Sequence, residues 1–137
     1  YTKPEELNKR GGALYSEAAV SLLNAIENNL NEIHVINVIN NGALPWMADD
    51  DVVEVKTLVS KDQLIPIPVR NFNNPHICEL MRTVKAYEKH AARAALTGDR
   101  DEAIRALMIH PLIGDVNAAV ACFDEMLEAH RRYLPQF

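Results

Sequence analysis

The sequence is short of cysteine, of aromatic residues and of basic charge, and it has no long apolar run. Its 137 residues include two cysteines, Cys78 and Cys122, and both lie in apolar stretches with helical spacing. Two cysteines placed in this way match neither a disulfide framework nor a zinc motif, so the sequence predicts reduced, buried thiols and a cytoplasmic location. Because no apolar run approaches the roughly 20 residues that cross a bilayer, we expect no membrane span.

Basic residues are fewer than acidic ones, and this limits the partners that the chain can bind. There are 14 Lys and Arg against 19 Asp and Glu, which gives a formal net charge of −5. Binding of nucleic acid requires clustered Lys and Arg, and the pair Arg131-Arg132 is too small to serve. We therefore expect no nucleic-acid partner. A chain of this length that is 48% hydrophobic is expected to form one domain with a core of its own.

Recognisable cofactor and metal motifs are also missing. A dinucleotide-binding or phosphate-binding loop needs its glycines between a strand and a helix, whereas Gly11-Gly12 follows no predicted strand. His76 and Cys78 lie two positions apart at a helix start and so point to different faces, which argues against joint metal binding. The run Asp49-Asp50-Asp51 lacks EF-hand spacing and is predicted to be a solvated loop, and His34 is predicted to be a satisfied residue of a sheet.

The pattern of apolar residues that is present predicts one helix, three strands and three further helices, which is an α+β order. The predicted bounds are residues 13–28 for the first helix, 32–39, 52–59 and 64–69 for the strands, and 75–97, 99–110 and 116–133 for the later helices. The first strand is apolar almost throughout and is expected to be covered on both faces. Pro66 and Pro68 place the third strand at an edge or interrupt it, so the sheet is small and mainly antiparallel.

All three later helices have N-terminal signals. Asn74-Pro75 combines an N-cap residue with a first-turn proline, and Asp115 can cap the last helix. Asp99 followed three residues later by Glu102 fits a capping box, in which each side chain bonds to the backbone of the other.

Elimination leaves polar residues at the ends of elements, next to glycine, as candidates for binding: Arg10, Tyr15, Ser16, Asn40 and Asn41. The guanidinium of Arg10 offers a fork of donors that suits a phosphate, and Gly11-Gly12 would let an anion approach the backbone. Two alternatives remain at this point. Arg10 pairs with a carboxylate such as Glu17, or the glycines form only a turn before the helix.

Seven blocks of this sequence, taken together and in order, resemble the C-terminal domain of glycoside hydrolase family 4. Within that family the 6-phospho-β-glucosidases match best, and the resemblance covers essentially the whole chain. The blocks are Arg10-Gly11-Gly12-Ala13-Leu14-Tyr15-Ser16-Glu17-Ala18-Ala19, Ile33-His34-Val35-Ile36-Asn37-Val38, Asn40-Asn41-Gly42-Ala43-Leu44-Pro45, Val52-Val53-Glu54-Val55, Val84-Lys85-Ala86-Tyr87-Glu88, Thr97-Gly98-Asp99 and Leu134-Pro135-Gln136-Phe137.

The resemblance implies a fold and a chemistry. The fold is that of the C-terminal domains of lactate and malate dehydrogenases, with a small sheet packed with four main helices, and it walls a substrate cleft and builds oligomer contacts. The family hydrolyses phosphorylated disaccharides with NAD and a divalent metal, usually Mn²⁺, by hydride removal at C3, proton abstraction at C2 by a tyrosine, and return of the hydride. The nucleotide fold, the metal ligands and the base belong to the N-terminal half of such enzymes. This chain by itself is therefore expected to bind neither cofactor and to be inactive.

The resemblance also gives roles to the candidate residues. Arg10 is expected to contact the substrate, with Gly11 and Gly12 allowing that approach, while Tyr15 and Ser16 line the same wall. Asn40 and Asn41 belong to another family block and are assigned to the cleft. The expected partners are the phosphorylated substrate, the N-terminal half of the same enzyme and further copies of the chain. A sister specificity, for 6-phospho-α-glucosides or α-galactosides, and a stand-alone binding or oligomerisation module are the alternatives.

Overall fold

The computed structural model describes residues 14–137, so the predictions for Arg10, Gly11 and Gly12 lie outside the described residues. The chain divides into two compact units, Tyr1–Asn71 and Phe72–Phe137. Taken together, the described residues of the two units form four α-helices and one three-stranded sheet, which confirms the α+β prediction.

Within residues 14–71 the first unit contains one helix and the sheet. Helix α1 is Tyr15–Glu27, and the strands are β1 at Glu32–Ile39, β2 at Val52–Val59 and β3 at Leu64–Pro66. The strands follow the order β1-β2-β3 and both pairings are antiparallel, as the sequence predicts. Ile36 lies opposite Val55, and this register fixes which side chains share a face.

One face of the sheet is buried and the other is open. Val53, Val55 and Val59 of β2 are 5% exposed or less, whereas Ile33 and Val35 of β1 are 59% and 60% exposed. The prediction that β1 is covered on both faces is therefore wrong. A run of apolar residues without alternation shows that both faces are apolar, but it does not show that both are covered within the same chain.

Strand β3 is shorter than the predicted 64–69 and lies at an edge of the sheet, as expected. Pro66 and Pro68 have no backbone N–H, so they cannot donate to the ladder. Pairing continues only in part beyond the strand, where the Ile67 N–H donates to the Lys56 carbonyl at 2.8 Å.

The second unit is helical. Helix α2 is Pro75–Thr97, α3 is Arg100–Ile109 and α4 is Val116–His130, followed by a short 3-10 helix at Arg131–Tyr133. The predicted N-caps are confirmed: the side chains of Asn74, Asp99 and Asp115 each accept a hydrogen bond from a first-turn N–H. Ala94, Ala103 and Phe123, one from each α-helix, form the centre of the core.

Both cysteines are free thiols, but they are not buried. Cys78 in α2 is half-buried and Cys122 in α4 is exposed, so the prediction of buried thiols is wrong. Helical spacing groups residues on one face, but it does not say whether a neighbouring element covers that face.

None of the helices within residues 14–137 combines the length and the apolar character that a bilayer crossing requires.

Candidate functional site

The first turn of α1 presents two of the predicted site residues to solvent. Tyr15 is 77% exposed and Ser16 is exposed as well. The residue before the helix is Leu14, whose side chain has no acceptor, and no side chain of the described residues caps this helix. The first-turn N–H groups are thus left without a side-chain acceptor from Leu14, and such groups attract negative charge.

Asn40, at the end of β1, has a different environment. Its side chain is fully buried, and its amide nitrogen donates to the carbonyls of Leu44, Met47 and Ala48 at 3.1, 3.2 and 3.1 Å. Its side-chain oxygen accepts from the Leu44 N–H at 2.7 Å. Both amide hydrogens are occupied by the loop between β1 and β2, so this geometry supports a positioning role for Asn40. Direct contact between Asn40 and a substrate stays a prediction without geometric support.

Asn41 is the exposed member of the pair. It has φ +44°, followed by Gly42 with φ +82°, and these left-handed conformations are the ones that Asn and Gly adopt most readily. The Asn41 N–H donates to the Asp49 carbonyl at 3.0 Å, which ties the start of the loop to its end. The Asn41 side chain is therefore displayed on a backbone that the loop holds in place.

The acidic run at the end of this loop is not uniformly solvated. Asp49 and Asp50 are exposed, as predicted, but Asp51 is only 5% exposed. Its Oδ2 accepts a hydrogen bond from the Ala48 N–H at 3.0 Å. The prediction of a solvated cluster is wrong for Asp51, because a carboxylate three residues after a turn N–H can close that turn.

The two groups of predicted site residues are not joined by any bond that the described residues show. Among the described residues, no hydrogen bond or ion pair joins Tyr15 or Ser16 to Asn40 or Asn41. The roles of these four residues in substrate binding stay predictions.

Within residues 14–137, no three His, Cys, Asp or Glu side chains come close enough together to hold a metal ion. His34 is mostly buried in β1, and its Nε2 lies 3.5 Å from Glu32 Oε2 without forming a hydrogen bond. The prediction of a satisfied sheet histidine is therefore wrong for this ring nitrogen. Glu32 and His34 are two positions apart on the same strand, and that spacing keeps their side chains too far apart for a close hydrogen bond.

A charge cluster around one buried carboxylate in the second unit was not predicted. Glu102 of α3 is 5% exposed, and its carboxylate contacts His90 Nδ1 at 2.6 Å and a guanidinium nitrogen of Arg105 at 3.0 Å. Arg93 lies 3.6 Å away. The hydrogen bond with His90, reinforced by the positive charges, lowers the pKa of Glu102 although burial acts in the opposite direction.

This cluster corrects the predicted capping box. Asp99 does accept hydrogen bonds from the N–H groups of Asp101 and Glu102, at 2.8 and 3.2 Å. The Glu102 side chain, however, bonds to His90 of α2 and Arg105 instead of returning to the cap. The signal in the sequence is the i,i+3 spacing on each helix. His90 and Arg93 share one face of α2, and Glu102 and Arg105 share one face of α3, so the basic face of α2 can pair with the glutamate of α3.

Two of the sequence blocks behind the family resemblance meet in this unit. A Cβ built on Gly98 would lie 1.8 Å from the Gln136 carbonyl oxygen, and the Gln136 side chain donates to the Ala95 carbonyl at 3.1 Å. Phe137 packs edge-on against Phe123 with ring centroids 5.4 Å apart. The C-terminal tail thus closes over the end of α2 beside an apolar hollow of about 220 Å³.

The family model described as the family 4 glycosyl hydrolase C-terminal domain matches residues 1–113. The chain belongs to this family. This family 4 C-terminal domain is 44% identical over 135 residues to a probable 6-phospho-β-glucosidase of Bacillus subtilis. It is 34% identical over 135 residues to a 6-phospho-β-glucosidase of Escherichia coli. Each alignment covers 98% of the chain and 30% of the relative, so the chain spans about a third of the length of these relatives.

Solved structures show the same fold. A Thermotoga maritima 6-phospho-β-glucosidase solved with manganese, NAD⁺ and glucose-6-phosphate matches with a TM-score of 0.85 and 35% identity, over 96% of the family 4 domain and 32% of that chain. A 6-phospho-α-glucosidase from gut microorganisms has a TM-score of 0.84 at 23% identity, over 98% of this chain and 30% of the other, which shows the fold alone. The predicted fold, of the lactate dehydrogenase C-terminal type, is confirmed.

Proposed function

We propose that this chain is the C-terminal, substrate-side domain of a cytoplasmic 6-phospho-β-glucosidase that depends on NAD and Mn²⁺. The observation that carries the proposal is the 44% identity to the Bacillus subtilis relative over 98% of the chain. The Thermotoga maritima relative, solved with both cofactors and glucose-6-phosphate, supports the cofactor assignment and the phosphorylated substrate.

The described residues do not fit either cofactor. Three potential metal ligands do not meet within residues 14–137, and the sequence has no Gly-x-Gly-x-x-Gly turn. The redox and elimination chemistry that the family resemblance implies is therefore assigned to NAD, to the metal and to residues outside this chain. On this proposal the 137-residue chain alone is inactive.

The substrate-side role is assigned to the start of α1. Arg10 would contact the substrate, in particular its 6-phosphate, with Gly11 and Gly12 leaving room for the anion. The exposed side chains of Tyr15 and Ser16 support this assignment, and Leu14 before them offers the first-turn N–H groups no side-chain acceptor, an arrangement that favours an anion. Asn41 is assigned to the cleft, and Asn40 positions the loop that displays it.

The test is hydrolysis of an aryl 6-phospho-β-glucoside by the longer protein that contains this chain. After NAD and metal have been removed, activity should be lost, and it should return only when both NAD⁺ and Mn²⁺ are added back. The 137-residue chain under the same complete conditions is the control and should show no hydrolysis. Activity of the longer protein that survives removal of the cofactors, or activity of the isolated chain, would refute the proposal.

The same assay can test a second candidate specificity, for 6-phospho-α-glucosides. A phospho-α-glucosidase of Clostridium acetobutylicum is 31% identical over 120 residues, which is 87% of this chain and 26% of that relative. Matched α- and β-linked aryl 6-phosphoglucosides would separate the two activities. Faster turnover of the α-linked compound would replace the proposed β-specificity with the α-specificity.

A further inference from the structure

Two exposed arginines of the second unit converge on one buried carboxylate. Arg93 belongs to α2 and Arg105 to α3, and their side chains are 64% and 58% exposed. One guanidinium nitrogen of each lies near the same oxygen, Glu102 Oε1, at 3.6 Å for Arg93 and 3.0 Å for Arg105. The single negative charge of Glu102 thus holds two permanent positive charges side by side, and one positive charge is left over.

No other carboxylate within residues 14–137 pairs with this surplus charge. The residues three and four positions away from Arg93 along α2, which share its helix face, include no acid. Asp101 lies four positions before Arg105 in α3, but it is exposed and forms no ion pair with Arg105. In the described part of the chain, the two guanidinium groups therefore form ion pairs with Glu102 alone.

Most of the hydrogen-bond donors of the two arginines are unused by the described residues. A guanidinium has five N–H donors in a planar fork. Arg105 donates from Nη1 to Glu102, and Arg93 lies beyond hydrogen-bond distance from the same carboxylate, so the outer edges of both forks are left to water or to a ligand. Such forks suit phosphate, which has enough oxygens to accept paired hydrogen bonds from two guanidinium groups. A carboxylate has only two oxygens and matches one fork.

We propose that Arg93 and Arg105 together form a site for a phosphate dianion, either free or as the terminal group of a sugar phosphate. Glu102 holds the two guanidinium groups together from the buried side, and the bound phosphate accepts hydrogen bonds from their exposed edges. Because Glu102 cancels one of the two positive charges, we expect millimolar rather than tight affinity. The site lies within the second unit, Phe72–Phe137, whereas the contact with the 6-phosphate of the substrate is assigned to Arg10.

NMR titration of the 137-residue chain with inorganic phosphate tests this site. At constant ionic strength, and at a pH where phosphate is mainly a dianion, the backbone amide signals of residues 90–93 and 102–105 should shift along one saturating curve. R93Q and R105Q should each weaken the affinity by roughly tenfold or more, because each loses a charge-assisted contact with phosphate. R93K and R105K should weaken it less, since lysine keeps the charge but not the fork. Equal titration curves for R93Q, R105Q and the unmodified chain would overturn the proposal.

The matched control is R131Q, which makes the same change in net charge. Arg131 lies 3.4 Å from Glu128 and both side chains are exposed, so this arginine has a carboxylate of its own, and R131Q should leave the phosphate affinity unchanged. The amide spectrum of each variant without phosphate checks folding. R93Q removes no side-chain hydrogen bond from the described residues, so it tests the site even if R105Q is unfolded. A loss of affinity in R131Q as large as in R93Q would indicate general attraction of anions and would overturn the proposal.

Glucose 6-phosphate and glucose then separate the two sources of the phosphate group. Equal affinity for glucose 6-phosphate and inorganic phosphate would show that the site takes the group from either source, and tighter binding of glucose 6-phosphate would assign the site to sugar phosphates. Both results support the proposal, and glucose alone should shift no signal of residues 90–105. Phosphate-dependent shifts confined to residues near Arg10 would overturn this proposal and leave the assignment of Arg10 in place, so the two proposals can fail separately.

Discussion

At the scale of single residues, the loop between β1 and β2 depends on Asn40. A loop of this length has backbone groups that no strand partner satisfies, and Asn40 bonds to four of them from a fully buried position. Asn is suited to this because one side chain offers two donor hydrogens and an acceptor. The same residue therefore governs how Asn41, its exposed neighbour, is displayed.

Replacement of Asn40 by alanine should lower the free energy of unfolding by about 3 kcal/mol, because buried carbonyl and N–H groups of the loop lose their partners. Urea-induced unfolding, followed by circular dichroism, measures this change. Asn40→Asp keeps the acceptor but places a carboxylate oxygen against three carbonyls, and it should destabilise at least as much. Asn73→Ala in an exposed segment is the control, with an expected change within about 0.5 kcal/mol. A similar small change for Asn40→Ala would contradict the positioning role.

Glu102 gives the second unit a dependence on pH. Its folded-state pKa is lowered, first by the hydrogen bond with His90 and then by the nearby positive charges. A group whose pKa is lowered by folding stabilises the fold above its unfolded pKa, and that contribution is lost as pH falls through the folded pKa. Stability should therefore fall with acidification below about pH 4.5, the ordinary value for this carboxyl.

Glu102→Gln should remove this part of the acid sensitivity and lower stability at neutral pH, as measured by thermal unfolding between pH 3 and pH 7. Glu79→Gln is the control, because Glu79 also pairs with an arginine, Arg82, but lies on the exposed surface of α2. An unchanged pH profile in Glu102→Gln would show that other carboxyls cause the acid sensitivity.

At the scale of elements, Gly98 links the end of α2 to the C-terminal tail. It has φ +71°, and a Cβ there would lie 1.8 Å from the Gln136 carbonyl oxygen. Gly114 has a similar φ of +60° but nothing within 4 Å of the same position. The two glycines therefore separate the cost of the left-handed conformation from the cost of displacing the tail.

Gly98→Ala should destabilise the chain by about 3 kcal/mol, whereas Gly114→Ala should cost only about 1 kcal/mol. In a chain shortened by residues 134–137 the cost of Gly98→Ala should fall to that of Gly114→Ala, because no tail is left to displace. Denaturant unfolding of the four single and combined variants provides the cycle. Additive effects of the glycine substitution and the truncation would show that the tail does not approach Gly98.

The elements themselves were largely predictable from the sequence. Helix N-caps at Asn74, Asp99 and Asp115 depend on neighbouring residues, and all three are confirmed. Burial was less predictable because it depends on distant parts of the chain: β1 is apolar on both faces, yet one face is open. The sequence could not distinguish the bond from Glu102 to His90 from a capping box. Both need a glutamate at this position, and the choice depends on α2, which is distant in the sequence.

At the scale of the whole molecule, this chain exposes apolar side chains in two regions of its first unit. Leu14, directly before α1, is 64% exposed, and Val20 and Leu23 of α1 are 65% and 59% exposed; the open sheet face adds to them. The chain also spans only about 30% of the length of its curated relatives. These exposed surfaces support the proposal that this chain acts as part of a larger assembly.

The proposed role of Arg10, contact with the substrate, can be tested only in the longer enzyme. In the longer enzyme, Arg10→Ala should lower kcat/KM for an aryl 6-phospho-β-glucoside by one to two powers of ten, the effect of losing a charge-assisted contact of about 1.5–3 kcal/mol. Arg10→Lys should recover part of the loss, because it keeps the charge but not the paired donors of the guanidinium. Lys9→Ala is the matched control and should leave kcat/KM unchanged. If Arg10→Ala had unchanged kinetics but lower thermal stability, Arg10 would instead have the structural role that its alternative partner Glu17 implies.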